Sequence, residues 1–439
     1  MPPPSSPSPL PPGRTGLPLL GETLAFARDG FGFVARRRAQ YGPIFRTSLL
    51  GRRAVVLSGP DAVGEFIDPD KIVRAGSMPP HIEAIFGGPS LPLLDGAVHA
   101  ARKRAVLAAF APEALASYLP DVRRIVEDSA ARWAGLGTFG WLAEMKRLAL
   151  ETICSCVGGI TDAAELERIR LDYGTLSAAF QGLPIPLPGT RYSRALAARD
   201  RIFTVFRRLV RSRRDGPTGD GLSRMLAAGP ELDEAAAVLE LHHAVMAGFI
   251  VFAEFATSVI ELTRRPEHAA RLREEIAAQA PSGPVSPERL RAMPHLMRVV
   301  METKRLTPII PAVFGIARRD FTFRGVTVPG GWMVMWDVLG TNTDTAVYSD
   351  ADRFDPDRFG PGREEHRRHE HAFVPQGGGP PTGHRCAGVD FSTVLMSVFL
   401  IVLLRAYRWE LPEQDLEYDW RKTPPEPKDG LRAVVTGRA

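Results

Sequence analysis

Phe373-Val-Pro-Gln-Gly-Gly-Gly-Pro-Pro-Thr-Gly-His-Arg-Cys386-Ala-Gly388 sets one cysteine in a glycine-rich loop. An apolar stretch of helical pattern, Phe391 to Ala406, follows it. Glycines let a backbone turn tightly and approach a bulky flat partner. A cysteine ahead of a helix N-terminus, beside His384 and Arg385, is biased toward thiolate by the helix dipole and the neighbouring cations. A thiolate in such a loop can serve as an axial haem ligand, and thiolate donation favours O–O cleavage. Taken alone, such a cysteine reads first as a buried structural residue beside a flexible loop.

The cysteine is not alone. Gly383, His384, Cys386 and Gly388 fall on a Gly-x-His-x-Cys-x-Gly pattern that resembles the haem-binding signature of the cytochrome P450 superfamily. Phe373 stands further from the cysteine than the usual signature allows. The Pro-Gln-Gly-Gly-Gly insert followed by Gly-His-Arg-Cys is similar to the hydrogen-peroxide-using fatty-acid subgroup, as are Gly340-Thr-Asn-Thr-Asp344 and Glu413-Gln-Asp-Leu416. The segment Gly182 to Thr190 is more similar to members that oxidise sterols and retinoids. The resemblance covers nearly the whole chain. It implies a mainly α fold with a small β region enclosing one haem b. Cys386 is then the proximal iron ligand, with His384, Phe373, Gly383 and Gly388 around the cofactor.

At 439 residues the chain is long enough to enclose a cofactor, and nothing in it marks an internal domain boundary. A Pro/Ser-rich leader over 1–18, disordered or loosely docked, followed by a single catalytic domain over 19–439, is the expected organisation. A hydrophobic fraction of 44% and a charged fraction of 24% are those of a soluble protein. The net charge of +5 is mild, with no dense basic stripe, so nucleic acid is not an expected partner. No uninterrupted apolar run reaches the length of a membrane span, and no signal-peptide order opens the chain. The cysteines are Cys154, Cys156 and Cys386, too few for a disulfide framework, which points to a reducing, cytoplasmic compartment. Cys154 and Cys156 read as core residues. His366, His369 and His371 have metal-like spacing but sit in a charge-rich segment that reads as a solvated loop.

Glu302-Thr-Lys-Arg305 places an acid and a base at i and i+3 on one helix face. The resemblance implies that Glu302, Arg305 and Arg358 form a buried ionic triad behind the haem. His99 and Lys103, four apart, present cations that suit the propionates of a flat acidic cofactor, and Arg102 lies between them. Arg102 and Arg104 are alternatively placed to meet an acidic electron donor such as a ferredoxin or flavodoxin.

The longest helical pattern, Leu232 to Thr263, is apolar on nearly every face and is expected to cross the interior. It carries Ala247-Gly248-Phe249-Ile250-Val251. Most family members follow the Ala-Gly pair with an acid and an alcohol that relay protons; Ile250 and Val251 stand at those positions. The peroxide-using subgroup instead holds a fatty-acid carboxylate with an Arg, and no Arg occurs between Arg224 and Arg264. Glu254, one turn past Ile250, is the candidate replacement for proton delivery. The expected apolar pocket draws on Ala247, Gly248, Phe249, Ile250 and Val251, on Ala312, Val313 and Phe314 after Pro311, and on Ile82, Phe86 and Leu93. The resulting expectation is oxidation of a hydrophobic small molecule by a monooxygenase with atypical proton delivery. A peroxide-driven peroxygenase, a rearrangement enzyme independent of redox partners, and a non-catalytic haem sensor are the alternatives.

Overall fold

The structure, a computed structural model, describes residues 8–181, 184–283, 285–307 and 309–437. Helices form where apolar periodicity predicts them, at Pro60–Ile67, Pro112–Ala134, Trp141–Gly158, Arg191–Asp215 and Pro294–Leu306. Pro60, Pro112 and Pro294 each open a helix, where a missing N–H costs nothing. The apolar run after the cysteine forms the helix Val389–Ala406, buried without interruption from Leu395 to Leu404. It lies against Pro112–Ala134, Pro266–Gln279 and Pro294–Leu306.

The central pattern departs from a single regular helix. It forms Glu234–Phe249 and Phe252–Arg264, with a break at Ile250 and Val251. There the backbone tightens to i→i+3 bonds: Val251 N to Gly248 O at 3.3 Å, Ala253 N to Ile250 O at 3.2 Å and Glu254 N to Val251 O at 3.0 Å. A glycine closely followed by two β-branched residues is the weakest helix-forming stretch of the segment. The combined span Glu234–Arg264 and the helix Val389–Ala406 are both long and apolar enough to cross a membrane, but 89% and 67% of their apolar windows lie inside the protein, which identifies them as core helices.

A small sheet flanks the helices. Its strands run in the order Ile44–Leu49, Arg52–Ser58, Met333–Asp337, Val313–Ala317 and Ile72–Val73. The first two form a hairpin turned by Leu50 and Gly51, both at positive φ. The strand Val313–Ala317 and the helices Thr23–Arg28, Gly30–Tyr41, Pro80–Phe86 and Gly221–Ala228 were not legible as such in the sequence. The described part of the leader is docked rather than loose: Thr327 N donates to Pro9 O at 2.9 Å and Arg46 N to Pro12 O at 2.7 Å. The first part of the leader, residues 1–7, and positions 182–183 of the apolar loop lie outside the described residues. In the described part of that segment Ile185 and Leu187 are exposed.

Candidate active site

Cys386 lies between the loop and the helix it precedes. Its side chain is exposed, yet its surroundings desolvate the thiol enough to raise its pKa. Gly388 N donates to Sγ at 3.4 Å, and Cys386 N donates to Gln376 O at 3.0 Å. Gly377 has φ +95°, and a Cβ there would meet Arg385 Cα at 3.3 Å, so this turn holds a glycine for both conformation and space. The sequence reading assigned thiolate stabilisation to His384 and Arg385. The structure moves that role: burial and nearby cations push the His384 pKa down to about 3, leaving it neutral near neutral pH. The cations that lower the Cys386 pKa are Lys103 and Lys304.

A cationic wall adjoins the cysteine. His99 and Lys103 are buried on the helix Gly96–Ala108, where Lys103 Nζ donates to the carbonyl of Arg385. The His99 and His384 rings lie 4.1 Å apart, and His99 Nε2 is buried without a hydrogen-bond partner. Arg74, which the sequence reading missed, joins them. It is buried, donates from Nη1 to Phe314 O at 3.0 Å and lies over the Phe66 ring at 4.1 Å. Burial lowers the pKa of His99, of Lys103 and of Arg74, the last to about 10. Asp95 and the more distant Glu240 offset this positive charge in part. A surplus of buried cations with an orphaned His nitrogen suits an anionic ligand such as the two propionates of haem. Arg102 does not join this wall: it donates to Glu240 Oε1 at 3.0 Å and to Pro89 O at 3.1 Å. Phe373 packs on Phe359, at 5.5 Å between ring centres, so it belongs to the segment behind the loop.

The central helix presents one partly accessible face within its buried length, made by His243, Ala247 and Ile250. Of the expected pocket residues, Gly248 turns away from that face, since a Cβ on it would sit 2.3 Å from Ile153 of Trp141–Gly158. Phe249 turns to Tyr173 and Phe252, and Val251 is buried in the core. Glu254 is buried next to the break, and its Oε2 has no partner. Burial raises its pKa, with Lys304 opposing. Ile82 and Phe86 are half-buried on Pro80–Phe86, which lies against the central helix, and Leu93 is buried. Ala312 and Phe314 join the cluster of Phe33, Phe45 and Met335, and Val313 packs with the cluster of Phe66 and Trp336. Val313 and Phe314, at the start of the strand Val313–Ala317, are half-buried, and Ala312 just before it is buried.

The ionic triad is present and larger than expected. Arg305 grips Glu302 bidentately, Nε to Oε2 at 2.7 Å and Nη2 to Oε1 at 2.8 Å. Arg358 Nε donates to Glu302 Oε1 at 3.0 Å, while its Nη1 reaches Glu365 Oε2 at 2.7 Å. Asp355 N adds a bond to Glu302 Oε1 at 2.8 Å. Glu365 carries no motif that the sequence reading could have used. Cys154 and Cys156 are buried in the core as expected. The segment with His366, His369 and His371 is less solvated than expected: His366 lies on the short 3-10 helix Glu365–Arg367, and all three histidines are half-buried.

A desolvated cysteine in a glycine loop, a cationic wall beside it and a neutral ionic lattice behind it define a haem-thiolate oxidoreductase. The family model described as cytochrome P450 matches residues 11–426, and the chain belongs to that family. It is similar to putative cytochrome P450 120 of Synechocystis sp., at 30% identity over 435 residues and 97% of each chain. It is also similar to abscisic acid 8'-hydroxylase 2 of Oryza sativa subsp. indica, at 29% identity over 97% of this chain and 86% of that protein. Among solved structures, retinoic acid-bound cyanobacterial CYP120A1 superposes with a TM-score of 0.91 at 28% identity, over 99% of this chain and 100% of that one. Cytochrome P450SP alpha (CYP152B1), in complex with (R)-ibuprophen, shares the fold, with a TM-score of 0.82 at 24% identity over 96% of this chain and 99% of that one. The protein is thus a cytochrome P450 oxidoreductase that binds haem b.

Proposed function

We propose that this protein is a monooxygenase that inserts oxygen into an apolar isoprenoid-like acid or a related hydrophobic molecule, with protons delivered through Glu254. When bound, haem supplies the oxidising chemistry. Cys386 is the residue for its iron, and Arg74, His99 and Lys103 are the residues for its propionates. The accessible face of His243, Ala247 and Ile250 stands as the wall against which substrate rests. The observation that carries the proposal is the unpartnered Oε2 of Glu254, buried one turn beyond Ile250 at the break in the helix. Burial raises the pKa of this carboxyl, so it keeps a proton to higher pH than an exposed carboxyl and can pass it on locally, which Ile250 and Val251 cannot do. The substrate class draws on the chain-long similarity to a retinoic acid-binding structure and to abscisic acid hydroxylases. A ferredoxin- or flavodoxin-type donor is the expected electron source; Arg104, exposed on the helix Gly96–Ala108 and paired with Glu231 at 2.7 Å, lies on the surface such a donor would meet.

The test is product formed per reducing equivalent with dioxygen and a ferredoxin system, set beside turnover with hydrogen peroxide. Parent protein should couple electrons to product with an isoprenoid acid, and Glu254→Gln should lose that coupling while keeping peroxide-driven turnover. Peroxide turnover in the parent with no dioxygen-dependent product would favour the peroxygenase reading instead. The absence of an Arg along the central helix leads us to expect weak binding of simple fatty acids.

A further inference from the structure

Lys304 is the second internal residue of the Glu302-Thr-Lys-Arg305 turn. It is buried. Its Nζ donates to Gln376 Oε1 at 3.0 Å, Val389 O at 3.0 Å, Ser392 Oγ at 2.6 Å and Thr393 Oγ1 at 2.8 Å. None of these acceptors is a carboxylate. An ammonium taken out of water with neutral partners alone is costly, and the cost falls when an opposite charge lies near. The acids that act on Lys304 across space are Glu254, the Cys386 thiol and Asp390. Glu254 is itself buried with a raised pKa, which favours its neutral form. Asp390 is exposed on the first turn of its helix, where solvent screens it. The Cys386 thiolate remains as the enclosed anion.

The connection is short as well as electrostatic. Gln376 accepts from Lys304 with its side chain and from Cys386 N with its backbone carbonyl. Val389, Ser392 and Thr393 belong to the helix that starts just past the cysteine. One ammonium therefore ties both flanks of the cysteine loop.

We infer that Lys304 is a positioning residue for the cysteine ligand, its buried ammonium acting, alongside that of Lys103, as a fixed counter-charge of the Cys386 thiolate. The inference rests on the haem-thiolate assignment of Cys386. A nearby positive charge stabilises the more electron-rich form of an iron–thiolate centre, so it should favour the ferrous over the ferric state. A structural staple alone would change stability and leave that balance where it was.

The test is a spectroelectrochemical titration of haem-loaded Lys304→Met, Lys304→Arg and Gln376→Glu. The parent's ferrous carbon-monoxide band reports separately whether the thiolate assignment holds. Lys304→Met removes the charge at similar volume; at a fixed applied potential its ferrous-to-ferric ratio should fall at least tenfold. Lys304→Arg should stay within about twofold of the parent. Gln376→Glu sets a carboxylate on the same ammonium without opening a cavity, and should lower the ratio in the same direction. If Lys304→Met does not load haem, Gln376→Glu decides alone. A thiolate-type band in the parent together with an unchanged ratio in the haem-loaded variants would overturn the inference.

Discussion

Glu302→Ala tests the architecture behind the cysteine loop. In the parent, the carboxylates of Glu302 and Glu365 balance the guanidiniums of Arg305 and Arg358, and the network is fully buried. Removing Glu302 leaves a net positive charge inside. Arg305 loses its bidentate partner, although the carbonyls of Asn342 and Ala351 still accept from it at 3.0 and 2.7 Å. Arg358 keeps Glu365, so it is the less affected cation. Breaking a buried ion pair from one side costs about 3–5 kcal/mol, and the orphaned Asp355 N–H adds about 1–3 kcal/mol. Against a total stability of about 5–15 kcal/mol, most of the folded, haem-loaded protein should be lost. Urea unfolding followed by haem absorbance, with the yield of holoprotein beside it, measures this. The control is Glu302→Met with Arg305→Met, which removes the pair together, leaves Arg358 on Glu365, and should cost less than Glu302→Ala alone. Normal holoprotein yield for Glu302→Ala, with an unfolding midpoint equal to the parent's, would refute the reasoning.

Four further outcomes follow from the site. Cys386→Ala should lose the red-shifted thiolate band of the ferrous carbon-monoxide spectrum; retention of that band means another ligand. Arg74→Leu and Lys103→Met should each speed haem loss to an acceptor globin by about tenfold or more, the scale of one charge-assisted bond. Glu254 has a raised folded pKa, so the stability tied to its neutral form is fully present below the ordinary carboxylate range and is lost as pH rises through the raised value. Glu254→Gln should therefore gain stability relative to the parent as pH rises above the ordinary carboxylate range, and a pH-independent difference in urea midpoint would contradict that burial. Gly248→Ala should destabilise by about 1–3 kcal/mol because its methyl would meet Ile153 at 2.3 Å, and adding Ile153→Ala should recover part of the loss.

What the sequence made legible is what local chemistry dictates. The cysteine loop, the i, i+3 acid–base pair of Glu302 and Arg305, and the all-apolar central segment each carry their meaning within a few residues. Arg74, Lys304, Gln376 and Glu365 do not. Arg74 reaches the site because the sheet sets Ile72–Val73 beside Val313–Ala317. Lys304 resembles any helical lysine until tertiary packing encloses it. The turn of Gly248 and Phe249 away from the accessible face was hidden for a related reason. A helix apolar on every side gives no clue to which face meets the cavity, and the break at Ile250 and Val251 shifts the register beyond it. The strand at Val313 was missed because a five-residue apolar run carries no period of its own.

The turn from Glu302 to Arg305 bears on how this protein can diversify. Its residues are all buried. Glu302 and Arg305 fasten the downstream arginine segment, Lys304 fastens the cysteine loop and the helix beyond it, and Thr303 Oγ1 closes on Val299 O at 2.9 Å within the turn. Regions distant in sequence are tied to one point, so a change at any of these positions disturbs several at once. Variation that reaches new substrates is freer elsewhere, on the half-buried face of His243, Ala247 and Ile250 and on the helix Pro80–Phe86 that lies against it. A library confined to those surfaces should retain cofactor loading in most of its members, whereas one spread over residues 302–305 should return mostly unfolded chains.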